Sequence, residues 1–117
     1  MYRSSIVAGV ILILVCVLFI RSRRPPEPSK GETTGIKVQR YASEAFPAWA
    51  REHRGRECPD TVDELNKYIG ASDSMDAWGR PIKLQCGPTM PAGLQGLNLV
   101  SAGEDGKFGT SDDLAPF

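Results

Sequence analysis

Four carboxylates, Glu104, Asp105, Asp112 and Asp113, fall within ten residues near the end of the chain, in "SAGEDGKFGTSDD", with Gly103, Gly106 and Gly109 before and between them. Like charges at that density repel, so they are held in one of two ways. Either the segment is a solvated, turn-rich tail, or a cation gathers the oxygens. Ca²⁺ takes about 6–8 oxygen ligands in flexible geometry. Asp105, Asp112 and Asp113 can supply carboxylates, Thr110 and Ser111 hydroxyls, and the glycines let the backbone turn back so that carbonyls join the shell. The spacing is not that of an EF-hand. Mg²⁺ suits the segment less well, because it prefers to keep its waters. The residues alone leave calcium and plain acidic turn open.

The other residues with chemical potential are cysteines. Cys16 lies in an apolar run, which leaves Cys58 and Cys86 as the only thiols in the polar part of the chain and so a single pairing there. A small domain with a thin core gains most from such a staple, and a Cys58–Cys86 disulfide implies an oxidising compartment. Zinc is a poor alternative, since there is no C-x-x-C and His53 is the only histidine. No G-x-S-x-G, H-E-x-x-H or P-loop pattern occurs, so the chain is not expected to be an enzyme. A formal net charge of zero gives no sign of a nucleic-acid binder.

That zero conceals two unlike segments. Residues 1–30 carry five basic groups against Glu27, a net of +4, and residues 31–117 carry nine basic against thirteen acidic, a net of −4. Within the first segment, Ile6 to Ile20 has no polar side chain except Cys16. As a helix it covers about 22 Å, and flanking serines and arginines bring it near the ~30 Å of a hydrocarbon core. No small-residue cleavage site follows it, so residues 1–20 read as an uncleaved anchor that enters the membrane through residues 5–20. Residues 21–35 read as a linker stiffened by Pro25, Pro26 and Pro28. The arginines after the run favour a cytoplasmic C-terminal domain by the positive-inside bias, and the cysteines favour the opposite side.

The elements that must position these groups begin at Ile36. Val38, Tyr41, Ala42, Ala45, Phe46, Trp49 and Ala50 form one apolar helical stripe. Pro47 is expected to kink this helix or to mark a restart with Ser43 as N-cap, and Gly55 to end it. A capping box, Thr61-x-x-Glu64, opens a second short helix with Val62, Leu65 and Tyr68 or Ile69 inward and Gly70 as its stop. "DAWGRP" is a turn. "PIKLQC" alternates, with Ile82, Leu84 and Cys86 on one face, and reads as a half-buried strand. After a loop over 87–96, "LNLVS" is the next strand. Helix, helix, strand, strand gives an α+β domain over residues 36–117, with helices on one face of a small antiparallel sheet.

Asp76-x-Trp78-Gly79-x-Pro81, followed by Ser101-x-Gly103-x-Asp105-Gly106 and Asp112-Asp113, resembles the globular domain of the major pseudopilin of type II secretion systems. The resemblance covers roughly Ile36 to Phe117. It implies a calcium ion in the C-terminal loop, with Asp105, Asp112 and Asp113 as side-chain ligands and carbonyls near Ala102, Lys107 and Thr110 completing the shell. Glu104 lies beside a matching position rather than on one. The resemblance makes Asp76 and Trp78 structural, the tryptophan packing under the sheet, and it places the domain in the periplasm, anchored by a single pass in the inner membrane. The implied function is a structural component of a type II secretion or type IV pilus-related system. Its partners would be further copies of this chain or other pseudopilin-like proteins. The alternative is a calcium-dependent binding module that recognises an exported protein or pilus component, with the 87–96 loop and the calcium loop as its surface. The anchor departs from the family pattern. Gly9 is followed by Val10 and the apolar run contains no acid, which points to a simple anchor carrying a pseudopilin-like domain.

Overall fold

The computed structural model describes residues 2–23, 25–91 and 96–116. Helix α1 (Tyr2–Ser22) contains the apolar run, and its Ser5–Ser22 window is long and apolar enough to cross a membrane, with a mean hydropathy of 2.6 and none of it buried against protein. It runs two residues beyond the expected boundary at residue 20. The backbone then passes through the prolines to helix α2 (Lys30–Arg40), whose N-cap is Ser29. The Ser29 hydroxyl accepts a hydrogen bond from the Glu32 N–H at 3.1 Å, which satisfies one of the donors a helix start leaves free. The helix thus begins six residues before the expected Ile36, inside the stretch read as linker. Ser29-x-x-Glu32 is the capping signal in the sequence that marks this start.

Pro47 neither breaks nor restarts the helix. Between α2 and helix α3 (Phe46–Glu52), residues Tyr41–Ala45 form a single π-helical turn in which the Phe46 N–H reaches back to the Tyr41 carbonyl. A proline ring collides with the carbonyl four residues earlier in a regular helix, here that of Ser43. Widening the turn by one residue just ahead of the ring relieves that collision at the cost of one hydrogen bond. Ser43 is not an N-cap: its hydroxyl donates back to the Gln39 carbonyl at 2.8 Å. The inward stripe survives the wide turn, and Val38, Tyr41, Ala45 and Trp49 are fully buried.

The capping box is present at Thr61 and Glu64, and opens a 3₁₀ turn over Val62–Leu65 that continues into helix α4 (Asn66–Ile69). Gly70 closes it at φ +65°, the left-handed conformation that a glycine adopts without a Cβ penalty. Val62, Leu65 and Ile69 face the core. Tyr68 turns outward, its hydroxyl donating to a Glu52 carboxylate oxygen. Strands β1 (Lys83–Cys86) and β2 (Leu97–Val100) pair antiparallel, with Leu84 opposite Leu99 and Cys86 opposite Leu97. Leu97, Leu99, Ile82 and Cys86 join the helical residues in one core. The architecture is α+β, as expected, with the two-stranded sheet packed on the helices. Of the 87–96 loop expected to form a surface, residues 92–95 lie outside the described residues.

Cys58 and Cys86 are bridged, with Cα atoms 5.9 Å apart. The bond ties the segment after α3 to the end of β1, across a separation of 28 residues. Closing a loop of that size stabilises the folded state by about 3.5 kcal/mol in the chain-entropy model. Replacing both cysteines by serine in the full-length protein should lower the unfolding free energy by about that amount. A urea denaturation midpoint unchanged by the double substitution would show that the bridge closes nothing the fold does not already hold.

Candidate functional site

The DAWGRP turn is where the domain converges. The Asp76 N–H donates to the Arg80 carbonyl at 2.8 Å, and Met75 bridges Pro81 in antiparallel fashion, so the five residues form a tight loop on a miniature hairpin. Asp76 is 6% exposed. Its Oδ1 accepts from the Trp78 N–H at 3.0 Å and the Arg80 N–H at 2.9 Å, and its Oδ2 accepts from the Ser101 hydroxyl at 2.8 Å. Short aspartate side chains close turns in this way by accepting from backbone groups two residues on. Two more contacts extend outward. The Ala77 N–H donates to Thr34 Oγ1 of α2 at 3.0 Å. Arg80 Nη1 donates to the Gly103 carbonyl at 2.7 Å. The buried carboxylate thus joins the turn to the residue that follows β2, and the Ala77 N–H ties the same turn to α2.

Ser101 passes this anchorage to the acidic loop. Its hydroxyl accepts from the Gly103 N–H at 3.2 Å, and its backbone exchanges two 2.9 Å hydrogen bonds with Leu114, which brings the far end of the loop back to its start. The loop closes tightly enough that glycine is required in it. A Cβ on Gly103, whose φ is +73°, would stand 2.1 Å from the Asp112 carbonyl oxygen. A Cβ on Gly106 would meet the Arg80 guanidinium at 2.6 Å. Both glycines thus serve close approach, a reason independent of any bound ion.

Within the loop the carboxylates are distributed rather than gathered. Asp105 Oδ1 accepts from the Lys107 N–H at 2.9 Å, and its Oδ2 accepts from the Thr110 hydroxyl at 2.7 Å. Those two bonds hold its pKa below the ordinary carboxylate value, the Lys107 N–H contributing most. Asp113 Oδ2 accepts from the Gly109 N–H at 2.7 Å, and Asp113 Oδ1 is buried with no partner. The Lys107 carbonyl accepts from Thr110 Oγ1 at 3.2 Å. Ala102 is buried at the loop's entry. Asp112 and the exposed Glu104 line a cleft of about 480 Å³ with Trp78 and the start of α2 at Ser29 and Lys30. Among the described residues, no three His, Cys, Asp or Glu side chains stand close enough to hold a metal ion together. The expected set Ala102, Asp105, Lys107, Thr110, Asp112 and Asp113 is therefore brought into one closed loop, but its side chains are not drawn to one point.

Asp76 has the structural role expected of it. Trp78 does not pack under the sheet; it is half-buried between the acidic loop and α2, its ring edge beside Gly31. Sequence reasoning gives Thr34 no role and reads Ser101 only as a strand end and a motif position; both are buried and hydrogen-bonded. A hydroxyl at the end of an apolar strand was the available signal for Ser101. The chain matches no family model, no curated protein and no solved structure.

Asp76→Ala leaves three donors facing a gap and should cost about 3–5 kcal/mol. Ser101→Ala should cost about 1–2 kcal/mol. Both are read from chemical denaturation, and an Asp76→Ala protein as stable as the parent would remove the turn from its central place. A second expectation concerns acid. A carboxylate whose folded pKa is depressed adds stability that is present above its ordinary value near 3.8 and lost as pH falls through the folded value. Thr110→Ala removes one of the two bonds to Asp105. An NMR titration should therefore show the Asp105 pKa rising toward the ordinary value, and an unchanged titration would contradict the hydrogen-bonded loop.

Proposed function

We propose that this chain is a membrane-anchored, pseudopilin-like structural component of a type II secretion or type IV pilus-related envelope system. Its domain stands on the periplasmic side of the inner membrane, and Ca²⁺ binds the C-terminal loop. Three features support the reading. An apolar helix long enough to span a bilayer precedes the domain. The domain is closed by a disulfide, a bond that persists in oxidising compartments. The C-terminal loop is tied back on itself next to the DAWGRP turn.

The observation that carries the calcium part is the buried Asp113 Oδ1, which has no hydrogen-bond partner. A buried oxygen of a carboxylate is costly unless a donor or a cation meets it. Asp113, Asp112 and Asp105 would hold the ion with carbonyls near Ala102, Lys107 and Thr110, and the ion would supply positive charge that offsets their mutual repulsion. The residues around it have their own tasks. Ser101 and Leu114 fix the two ends of the loop, Gly103 admits the Asp112 carbonyl, and Arg80 holds the Gly103 carbonyl in place.

Extracellular modules bind Ca²⁺ at about 10⁻⁴–10⁻³ M. At about 10 mM calcium that affinity adds about 1.4–2.7 kcal/mol. The full-length protein in detergent should therefore melt several degrees higher in 10 mM calcium than in chelator, and Asp113→Asn should abolish the difference. A melting temperature indifferent to calcium would overturn the calcium reading and leave the anchored, disulfide-closed domain as it stands.

A further inference from the structure

The outer face of the sheet carries a second feature, which shares only Asp113 with the expected calcium ligands. Leu97 and Leu99 of β2 point into the core, so Asn98 and Val100 point the other way, alongside Gln85 and Lys83 of β1. The acidic loop folds across this face and leaves a cleft of about 390 Å³, lined among others by Lys83, Gln85, Asn98, Val100, Phe108 and Asp113. Asn98 is 6% exposed, and while its amide Nδ2 donates to Gln85 Oε1 at 2.9 Å, its Oδ1 is buried with no partner. The other orphaned oxygen in the cleft wall is on Asp113. Two of the three buried side-chain polar atoms without partners among the described residues thus belong to one cleft, and both are acceptors.

Buried acceptors without partners in a cleft wall call for a ligand that donates. One of the two carries negative charge, and the segment from residue 31 onward has a net charge of −4, so a cationic donor is favoured over a neutral one. The cleft already attracts a cation of its own. The Lys83 ammonium lies 5.3 Å from the centroid of the half-exposed Phe108 ring, the arrangement in which an aromatic face stabilises positive charge. A guanidinium is planar, presents five N–H donors in a fixed fork, and stacks on aromatic faces.

We propose that this cleft is a docking site for an arginine side chain presented by a partner protein. The guanidinium donates to Asn98 Oδ1 and Asp113 Oδ1 and displaces the Lys83 ammonium from the face of Phe108. Asp113 is also an expected calcium ligand, so the guanidinium and the ion compete for its Oδ1; the site gives the domain a recognition surface on the sheet rather than on the loop tip.

The test uses the full-length protein in detergent micelles, in chelator so that no divalent ion competes for Asp113. Three acetylated and amidated tripeptides serve as probes: Gly-Arg-Gly, Gly-citrulline-Gly and Gly-Glu-Gly, followed by NMR of the backbone amides. Arginine should shift the resonances of Asn98, Val100 and Phe108 in a saturable way. Citrulline, which keeps the shape and loses the charge, should bind about tenfold more weakly, and glutamate should not bind. Asn98→Leu and, separately, Asp113→Asn should each weaken the arginine probe about tenfold. Asp113→Asn keeps the side-chain shape and so serves even if Asn98→Leu fails to fold. No saturable shift with arginine, equal response to all three probes, or arginine binding untouched by Asp113→Asn would each overturn the proposal.

Discussion

The structure depends on a buried carboxylate that forms no ion pair among the described residues. Asp76 is nearly sealed from water, and it is tolerated there because three donors meet its two oxygens: the N–H groups of Trp78 and Arg80 and the hydroxyl of Ser101. A carboxylate accepting several such bonds is held in place far more firmly than any surface ion pair. The donors serve two requirements of the fold. Two shape the turn that reverses the chain ahead of β1, and the third fixes the end of β2 where the acidic loop departs. Thr34, through Ala77, adds α2 to the same junction. The domain is small and its sheet has only two strands, so a single polar junction of this kind carries a share of the tertiary organisation that a larger core would supply by packing.

That junction also changes how the acidic loop is understood. A loop of like charges is expected to need a cation before it orders. Here backbone pairing between Ser101 and Leu114 closes it, Arg80 braces its first carbonyl, and Asp105 and Asp113 each accept hydrogen bonds from the loop's own donors. Order and ion binding are thereby separable. A calcium ion would bind a loop already shaped by the turn, which lowers the ordering entropy that binding must offset. The same closure lays Phe108 and Asp113 over the outer face of the sheet, so one loop bounds two different environments.

Much of the fold was legible because it rests on local signals. The stripe Val38, Tyr41, Ala45, Trp49 follows helical spacing, the Thr61–Glu64 capping box and Gly70 mark both ends of one short element, and the alternation through Cys86 marks a strand. The start of α2 was missed because the proline run suggested a linker, although Ser29 and Glu32 carried the capping signal. The response to Pro47 was not legible, since a kink, a restart and a widened turn all relieve the same clash and the surrounding core selects among them. The site was legible in its membership and not in its arrangement. Spacing shows that Asp105, Asp112 and Asp113 share a loop; it does not show that Asp105 would spend its oxygens on Lys107 and Thr110. The long-range bond from Asp76 to Ser101 spans 25 residues, and no local pattern announces it.

Amide hydrogen exchange of the full-length protein in chelator reports on the Asp76 junction most directly. If the buried carboxylate and the Ser101–Leu114 pairing organise the loop without help from an ion, the amides of Arg80, Gly103 and Leu114 will exchange about as slowly as that of Asn98, which faces Gln85 across the strand pair. If those three exchange freely while Asn98 stays protected, the loop is not held by the turn, and the junction described here does not organise the domain.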